Sequence, residues 1–399
     1  MNEKNKREKE VAKLSANPLK LLVMAWDGAS PEIILEHRNR LPTLNWLCQK
    51  GSYGVVRSGV CSYDIWMTYY TGKMPEKHGF QLLKLRDMYR QNFALHSLKH
   101  VRCQKFFWDY VNEAGLTIGI FGALGTFPAP KVNGFIVSGE LLFGHHDEAF
   151  YPPEIQRHFQ EIPQILHSIQ AERPQETQEY LKKSLFGYRD PSPLATLGLT
   201  RPFPEITVQE LEEVLNRPYF DFALAALEDK IKIYRRKLEE ITRIIPVDVL
   251  FIYFIDLDII QHFSFHEQDL GTILQGYCLL DRALQEFIEE YHPANVLVIS
   301  DHGVEPYTKF IHRVVEGEEL PPVLKRLSNG AIIGEAANHG IISGAHAVNA
   351  FYVLKGEEVK PDNYQQISFI NVLPMLLRTL RINITPGLDG KTPGIFLES

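Results

Sequence analysis

The chain has 399 residues, with 42 Lys or Arg against 49 Asp or Glu, so its formal net charge is −7 with His neutral. Hydrophobic residues at 45% and charged residues at 23% are close to the averages of soluble globular proteins, which excludes a collagen-like or wholly disordered chain. The acidic balance lacks the basic excess of a protein that binds DNA or RNA, and taken alone it also disfavours an anionic substrate.

The first segment, residues 1–18, is polar, carries charges of both signs and lacks the apolar stretch of a signal peptide. It predicts a flexible N-terminal arm. No run in the chain reaches the ~18 consecutive apolar residues that a spanning helix needs, so no membrane segment is expected. Four cysteines lie far apart and form no Cys-x-x-Cys pair: Cys48, Cys61, Cys103 and Cys278. This usage disfavours a disulfide framework and indicates a reducing compartment, so we expect a cytoplasmic protein.

Short apolar runs predict the buried strands of a sheet. In chain order they are Leu21–Trp26, Thr117–Phe121, Gly134–Val137, Val249–Ile255, Val296–Ile299 and Phe351–Leu354. Helical patterns lie between them, at Pro42–Lys50, Phe106–Ala114 and Gln275–Tyr291. Alternating strands and helices are typical of an α/β fold, in which helices on both faces flank a mostly parallel central sheet.

The segment 148–245 differs from the rest, because it is rich in Glu, Gln, Pro and Arg and separates two groups of predicted strands. It is interpreted as a helical cap inserted into a core made of 19–147 and 246–399. An ordinary peripheral excursion of helices is the competing interpretation. A chain of this length suits either one large α/β domain with such an insertion or two domains.

Side chains that can bind metals follow predicted strands or lie near one. They are Asp27, Asp258, His262, Asp301, His302 and His346. Each is weak evidence alone, since Asp-Gly usually marks a turn and Asp-x-x-x-His a solvated helix face. In open α/β sheets, however, ligands bind outside the carboxyl ends of the strands. Three carboxylates and three imidazoles at one edge therefore predict a metal site.

A candidate nucleophile, Ser62, opens a helical pattern that runs to Thr71 and stops at Gly72. Oriented N–H groups at a helix N-terminus stabilise an alkoxide and an incoming phosphate. A plain N-cap serine is the competing interpretation. The neighbouring Cys61 is expected to be a small buried residue.

Together these residues resemble the alkaline phosphatase superfamily, and in particular its type I phosphodiesterase/nucleotide pyrophosphatase family. The resemblance covers about 20–140 and 246–392, and its motifs fall in the family's order. The matching pieces are Leu22–Gly28, Pro42–Gly51, Ser62 with Trp66, Thr71–Gly79, Phe107–Asp109, Ala114–Gly115, Thr126–Phe135, Asp258 with Gln261–His262, Asp301–Gly303, Gly344–His346, Val372–Leu377 and Leu388–Gly390.

The resemblance implies a phosphoric ester hydrolase with two divalent metal ions, usually zinc and sometimes manganese. It assigns one metal to Asp258, His262 and His346. It assigns the other to Asp27, Asp301 and His302, with Ser62 as nucleophile and ligand. Two cations can hold the attacking and leaving oxygens of an in-line displacement. They would also offset the acidic balance locally, so the net charge does not exclude an anionic substrate.

Departures from the family pattern leave alternatives open. Ser62 stands where the diesterase relatives usually have Thr, so a phosphomonoesterase or phosphomutase of the same superfamily competes with a phosphodiesterase. A sulfatase is disfavoured, because Cys61 is not followed by the x-Pro-x-Arg that sulfatases need. A catalytically inactive relative that binds a phosphorylated ligand is the remaining alternative, and the intact ligand set weighs against it.

Asn338 and His339, close to His346 in sequence, are hypothetical substrate-binding residues, and a place in the same loop without contact is the competing interpretation. The cluster 145–147 is interpreted as surface. The expected partner is a small phosphorylated substrate, with neither a nucleic-acid polymer nor a membrane, while the oligomeric state stays open.

Overall fold

The computed structural model describes residues 18–59, 62–79, 98, 101, 105–139, 148–160, 219–265, 270–306, 344–384 and 386–398. Its strands are β1 (Leu21–Trp26), β2 (Ser52–Arg57), β3 (Ile118–Ala123), β4 (Gly134–Ser138), β5 (Phe150–Tyr151), β6 (Val249–Phe254), β7 (Asn295–Ile299), β8 (Gly303–Pro306), β9 (Gly344–Ala347), β10 (Asn349–Lys355), β11 (Asn363–Tyr364) and β12 (Ile367–Ser368). Its α-helices are α1 (Pro31–Glu36), α2 (Pro42–Lys50), α3 (Ser62–Thr71), α4 (Pro75–His78), α5 (Phe107–Glu113), α6 (Tyr219–Ile244), α7 (Asp256–Ser264), α8 (Gly271–Tyr291) and α9 (Val372–Thr379). Short 3-10 helices occupy Arg38–Arg40, Pro153–Phe159 and Phe369–Asn371.

Within the described residues, the central sheet has ten strands in the order β11-β2-β10-β7-β1-β6-β3-β4-β5, with β12 also paired to β2. The middle strands β7, β1, β6, β3 and β4 run parallel to one another, and β5 pairs antiparallel with β4. β10 runs antiparallel to both β7 and β2. The mostly parallel α/β sheet expected from the sequence is therefore confirmed, and β8 and β9 form a separate antiparallel pair.

Hydrophobic residues on the two faces of the sheet form two separate cores. Along β1, Met24 and Trp26 enter one core, whereas Val23 and Ala25 enter the other, as expected for alternating side chains on a strand. Helices α2, α6, α7 and α8 contribute to the first core, and α3, α5 and α9 to the second. Helices therefore cover both faces, which explains why the central strands are apolar throughout rather than alternating.

The best predicted elements are those with clear start and stop residues. Strand β1 and helix α2 have the predicted bounds, with Pro42 at the start of α2 and Gly51 just after its end. Helix α8 begins four residues earlier than predicted, because Ile273 and Leu274 continue the buried stripe of the helix. The short strands β8 and β9 were not predicted.

Part of the predicted insertion 148–245 contacts the central sheet. Strand β5 pairs with β4, with Ile136 opposite Tyr151. Helix α6 places Leu227 and Leu238 in the first core. Residues 161–218 lie outside the described part of the chain, as do residues 1–17 of the predicted arm, so the division into arm, core and cap stays a prediction. No helix among the described residues is both long and apolar enough to cross a bilayer.

Candidate metal centre

The sheet topology brings three predicted ligand segments to one edge. Strands β7, β1 and β6 are adjacent and parallel, so their carboxyl ends meet at the same edge. Asp27 directly follows β1, and Asp301 follows β7 after one residue. Helix α7 starts one residue beyond β6 and carries Asp258 and His262, which lie one helical turn apart.

Asp27, Asp301 and His302 form the first group of ligand atoms, which we call the buried cluster. The Nε2 atom of His302 lies 3.4 Å from Asp27 Oδ1 and 3.4 Å from Asp301 Oδ2. The side chains are 0–1% exposed. Three possible ligands therefore converge in the interior, where an unpaired carboxylate is costly.

Asp258, His262 and His346 form the second group, which we call the half-open cluster. Asp258 Oδ1 lies 3.3 Å from His262 Nε2 and 3.2 Å from His346 Nε2, and the two Nε2 atoms are 2.8 Å apart. These side chains are 15–25% exposed. One carboxylate and two imidazoles thus face a common point that solvent can reach.

The two clusters adjoin each other. His302 Nε2 of the buried cluster lies 4.0 Å from Asp258 Oδ1 of the half-open cluster. The rings of His302 and His346 stack with their centroids 3.7 Å apart. The six ligand residues assigned by the resemblance are therefore brought together, and they divide into the two groups that the resemblance implied.

His346 reaches the site from a strand that the sequence did not reveal. It lies on β9, opposite Val304 of β8. Because β8 directly follows His302, the pairing of β8 with β9 brings His346 beside that residue. Four residues are too short a run for hydrophobic periodicity to indicate a strand.

Hydrogen bonds to carbonyl groups fix the proton positions of two histidine rings. His262 Nδ1 donates to the carbonyl of Gly344 at 2.9 Å, and His302 Nδ1 donates to the carbonyl of Gly303 at 3.0 Å. A carbonyl can only accept, so each Nδ1 carries a proton. In the neutral rings Nε2 is then the free ligand atom, which is the arrangement found around metal-ligating histidines.

Three carboxylate oxygens in the site are buried without a hydrogen-bond partner among the described residues: Asp27 Oδ1, Asp258 Oδ1 and Asp301 Oδ2. These are the oxygens that face the histidine Nε2 atoms. Buried polar atoms normally have partners. Carboxylate oxygens and imidazole nitrogens are ligands of divalent cations, and within the described part of the chain these three oxygens have no hydrogen bond that would compete with a cation. The site therefore fits divalent cations.

The electrostatics of the site indicate a deficit of positive charge. Burial, reinforced by the charge of Asp301, raises the pKa of Asp27 well above its usual range. Burial and the nearby Asp258 raise the pKa of Asp301 to about 7. Against the effect of burial, His262 and His346 hold the pKa of Asp258 well below its usual range. Bound cations would favour the charged carboxylates in both clusters.

The second oxygen of Asp27 is held by two donors. Both the Tyr253 hydroxyl, from the neighbouring strand β6, and the Trp66 indole Nε1, 3.1 Å away, donate to Asp27 Oδ2. These bonds orient Asp27 so that Oδ1 points at His302. Trp66 was singled out only as part of a motif. Tyr253 lies inside an apolar strand, where nothing in the sequence distinguishes it from a core residue.

Close packing at Gly28 explains why a glycine follows Asp27. Its φ is +72°, which favours glycine. A Cβ atom at this position would lie only 2.9 Å from the Cα of Asp258. The Asp-Gly pair is therefore both a turn and a close approach between the loop after β1 and helix α7.

Ser62 is the first residue of α3. Its Oγ lies 2.9 Å from His302 Nε2. The nearby Ser62 hydroxyl also offsets part of the rise that burial and Asp258 cause in the pKa of Asp301. Ser62 thus touches the buried cluster, and Trp66 of the same helix hydrogen bonds to Asp27.

Three other predictions concern residues that the structure leaves undescribed. Asn338 and His339, the hypothetical substrate-binding residues, lie outside the described ranges, as do Cys61 and the cluster 145–147. Their interpretations stay predictions.

The solved structures that this chain resembles have low sequence identity to it. Human ectonucleotide pyrophosphatase/phosphodiesterase 5 is 12% identical with a TM-score of 0.45, and the match covers 93% of this chain and 97% of that one. A variant of alkaline phosphatase PafA is 11% identical with a TM-score of 0.55, covering 94% and 98%. The likeness to PafA shows an alkaline phosphatase-like fold. Among curated proteins, none matches this chain.

A family model described as type I phosphodiesterase/nucleotide pyrophosphatase matches residues 21–360. This span runs from the start of β1 past the end of β10 and includes both clusters and Ser62. It confirms the resemblance seen in the motifs. The chain therefore belongs to the type I phosphodiesterase/nucleotide pyrophosphatase family and is a hydrolase of phosphoric ester bonds.

Proposed function

We propose that the chain hydrolyses a small phosphorylated substrate with Ser62 as the nucleophile and two divalent cations as cofactors. The observation that carries this proposal is the pair of adjoining clusters, with the Ser62 hydroxyl 2.9 Å from a histidine of the buried one. Each cluster supplies three ligand atoms that lie within 4.8 Å of one another. A nucleophile beside two cation sites suits phosphoryl transfer.

The ligands divide between the cations by cluster. Asp27, Asp301 and His302 would hold one cation together with Ser62. Asp258, His262 and His346 would hold the other. When bound, two such cations lower the pKa of the serine hydroxyl and neutralise charge on the phosphate oxygens.

The chain's own residues perform the displacement. Ser62 Oγ forms a bond to phosphorus while the bond to the leaving oxygen breaks, which leaves the phosphoryl or nucleotidyl group on the serine. Ser62 begins α3, and the free N–H groups at a helix N-terminus stabilise negative charge on such a group. A water oxygen then bonds to phosphorus while the bond from phosphorus to Ser62 Oγ breaks. The phosphate product leaves, and one proton of that water returns to Oγ.

Zinc is the proposed metal, with manganese as the second choice. The half-open cluster offers two imidazole nitrogens and one carboxylate oxygen, a set typical of zinc. The buried cluster has more oxygen than nitrogen, which also suits manganese.

A second candidate function is phosphomonoesterase or phosphomutase activity at the same site. It is favoured by Ser62, since the diesterase relatives usually have Thr there. Loss of catalysis is a weaker alternative, because the described site keeps all six ligands. Hydrolysis of a diester, hydrolysis of a monoester and transfer to a second alcohol separate these functions.

The proposed setting is the cytoplasm, with no nucleic-acid polymer or membrane as partner. It is supported by the acidic net charge and by the free cysteines Cys48 and Cys278. Localisation of the tagged protein by cell fractionation tests it, and recovery outside the cytoplasm would contradict it.

The test of the nucleophile compares Ser62→Ala with Ser52→Ala, a buried serine on β2 that lies away from both clusters. Turnover of mono- and bis-nitrophenyl phosphate by Ser62→Ala should fall by at least ~10³-fold while its metal content stays at the wild-type value. Ser52→Ala should keep its turnover. Full activity in Ser62→Ala would show that Ser62 is not the nucleophile.

The test of the metals is removal and restoration. Chelation should silence the wild-type enzyme, and zinc or manganese should restore it. If protein shown to be free of metal after chelation kept its full activity, the two-cation proposal would be wrong.

A further inference from the structure

Gln261 lies on α7 between the two ligands of that helix, but its side chain points away from them into the protein. The residue is fully buried. Its Nε2 donates to the carbonyl of Gly28 at 2.8 Å and to the carbonyl of Leu257 at 3.0 Å. Its Oε1 accepts from the Tyr277 hydroxyl of α8 at 3.1 Å. Gln261 thus links α7 to the loop that carries Asp27.

Ser30 continues this network toward β8. The Tyr277 hydroxyl accepts from the Ser30 backbone N–H at 2.7 Å. The Ser30 hydroxyl donates to the carbonyl of Val304 at 2.6 Å and accepts from the Val304 N–H at 2.7 Å. Val304 pairs with His346 and follows His302 by two residues. The loop after β1 is therefore bonded to the strand pair that presents both histidines.

We call the side chains of Ser30, Gln261 and Tyr277 the polar hub. They connect the segments that carry the six cluster residues, either directly or through the pairing of β8 with β9. The hub residues are 0–1% exposed. Burial raises the pKa of Tyr277, so its hydroxyl stays a donor. Hydrogen bonds buried to this degree are directional and costly to leave unmade.

We propose that the polar hub positions the half-open cluster relative to the buried cluster and so sets the separation of the two cations. Gln261 fixes α7, which holds Asp258 and His262, against the Asp27–Gly28 turn. Ser30 fixes β8, and through it β9 with His346, against the same turn. The hub residues are positioning residues, since none of them belongs to either ligand cluster. The inference rests on the proposed two-cation function.

The experiment titrates metal-free protein with Mn²⁺ and records electron paramagnetic resonance, because coupling between two Mn²⁺ ions reports their separation. The variants are Tyr277→Phe and Gln261→Glu. The first removes the hydroxyl, and the second replaces the amide donor to Gly28 by an acceptor. Tyr352→Phe is the matched control, because Tyr352 is equally buried and its hydroxyl donates to the Gln365 carbonyl, on another part of the sheet.

Wild type and Tyr352→Phe should bind two Mn²⁺ per chain with the same coupling. The hub variants should bind Mn²⁺ about 10–100-fold more weakly and show altered coupling at saturation. Two ions bound with wild-type affinity and coupling in both variants would overturn the hub inference alone. Fewer than two ions in wild type, with Zn²⁺ giving the same result, would overturn the two-cation function itself. If one hub variant does not fold, the result of the other variant is used. Tyr277→Phe is the more conservative of the two, because it removes a single oxygen atom, so its result takes precedence.

Discussion

The two ligand clusters use the same residue types in opposite surroundings. The buried cluster has two carboxyls and one imidazole at 0–1% exposure, and the half-open cluster has one carboxyl and two imidazoles at 15–25%. In the buried cluster, burial raises the pKa of both Asp27 and Asp301. In the half-open cluster, two histidines lower the pKa of Asp258 despite burial.

This difference indicates separate roles for the two clusters. The buried cluster has more carboxyl groups and contacts Ser62, so it is suited to holding a cation on the proposed nucleophile. The half-open cluster reaches solvent, so in the proposed reaction it is the side where the leaving group departs and water enters. Substitutions in each cluster, and in the residues that support it, test whether the two clusters have these separate roles.

The largest effect is expected from removing one ligand charge in either cluster. Asp27→Asn and Asp258→Asn should each retain about one zinc per chain, and each should lose roughly 10⁴-fold in kcat/KM, because several kcal/mol of transition-state stabilisation disappear. Metal analysis and a nitrophenyl phosphate assay measure both quantities.

The exposed Asp362→Asn is the control for these variants. Its φ of +47° is tolerated by Asn, so the change should have no effect. If the wild-type clusters differ as their burial suggests, zinc should dissociate more slowly from Asp258→Asn, which keeps the buried cluster, than from Asp27→Asn. Two zinc ions in either variant would contradict the assignment of ligands.

The sequence was sufficient to predict the edge of the sheet where the clusters lie. Asp27 and Asp301 follow apolar strands, and the four-residue spacing of Asp258 and His262 gives one helix face. These signals are local, and parallel strands bring their carboxyl ends together by geometry alone. The grouping into two triads came from the resemblance rather than from spacing.

Contacts between residues distant in sequence could not be predicted in the same way. Tyr253 and Tyr277 look like ordinary apolar-face residues, yet their hydroxyls bond to Asp27 and Gln261. The pairing that places His346 joins β8 to β9, two four-residue strands separated by 37 residues. Neither a periodic pattern nor a turn motif marks such contacts, because they depend on how finished elements pack.

Support for the half-open cluster comes from α6, which bonds to the start of α7. Lys230 Nζ donates to Asp256 Oδ2 at 2.8 Å, with the two side chains 7% and 10% exposed. Lys230→Met leaves a buried carboxylate unpaired and should lower the free energy of unfolding by about 3–5 kcal/mol. Urea unfolding of the metal-free protein measures it.

The control for Lys230→Met is a substitution two residues further along α6. Lys232 pairs with Glu228 at 3.3 Å, but both side chains are more than 40% exposed. Lys232→Met should therefore cost at most about 0.5 kcal/mol. Equal effects of the two substitutions would show that Lys230 does not anchor α7 through a buried pair.

Helix α3 supports the buried cluster. His78, at the end of α4, packs against α3. Its Nε2 lies 3.2 Å from Thr68 Oγ1, and both residues are fully buried. Burial lowers the pKa of His78 from 6.5 to about 4, so folding favours the neutral ring. The stabilisation is complete above pH ~6.5 and is lost as the pH falls toward ~4, because the unfolded chain takes up the proton first.

The loss of folding stability expected over that window is about 3 kcal/mol. His78→Gln should flatten the pH dependence of unfolding between pH 4 and 6.5 in metal-free protein, and the exposed His292→Asn should leave it unchanged. The same slope in wild type and His78→Gln would contradict the role of burial.

The smallest effect is expected where the ligand stays and only its orientation changes. Tyr253→Phe removes one of the two donors to Asp27 Oδ2 and leaves the Trp66 indole as the other. Burial, together with the charge of Asp27, keeps the pKa of Tyr253 well above its usual range, so the hydroxyl is a donor throughout the working pH range. Its loss should weaken zinc binding by about 10–100-fold, the usual effect of a residue that orients a metal ligand.

Competition with a chromogenic chelator measures this affinity, and Tyr352→Phe again controls for the loss of a buried hydroxyl. Because Tyr253 hydrogen bonds to Asp27, a ligand of the buried cluster, the weaker site should be the buried cluster. Weakening confined to the half-open cluster would mean that the two clusters are not supported separately. In that case the hydrogen bonds around Asp27 would affect both cation sites through the Asp27–Gly28 turn, because Gln261 donates a hydrogen bond to the Gly28 carbonyl.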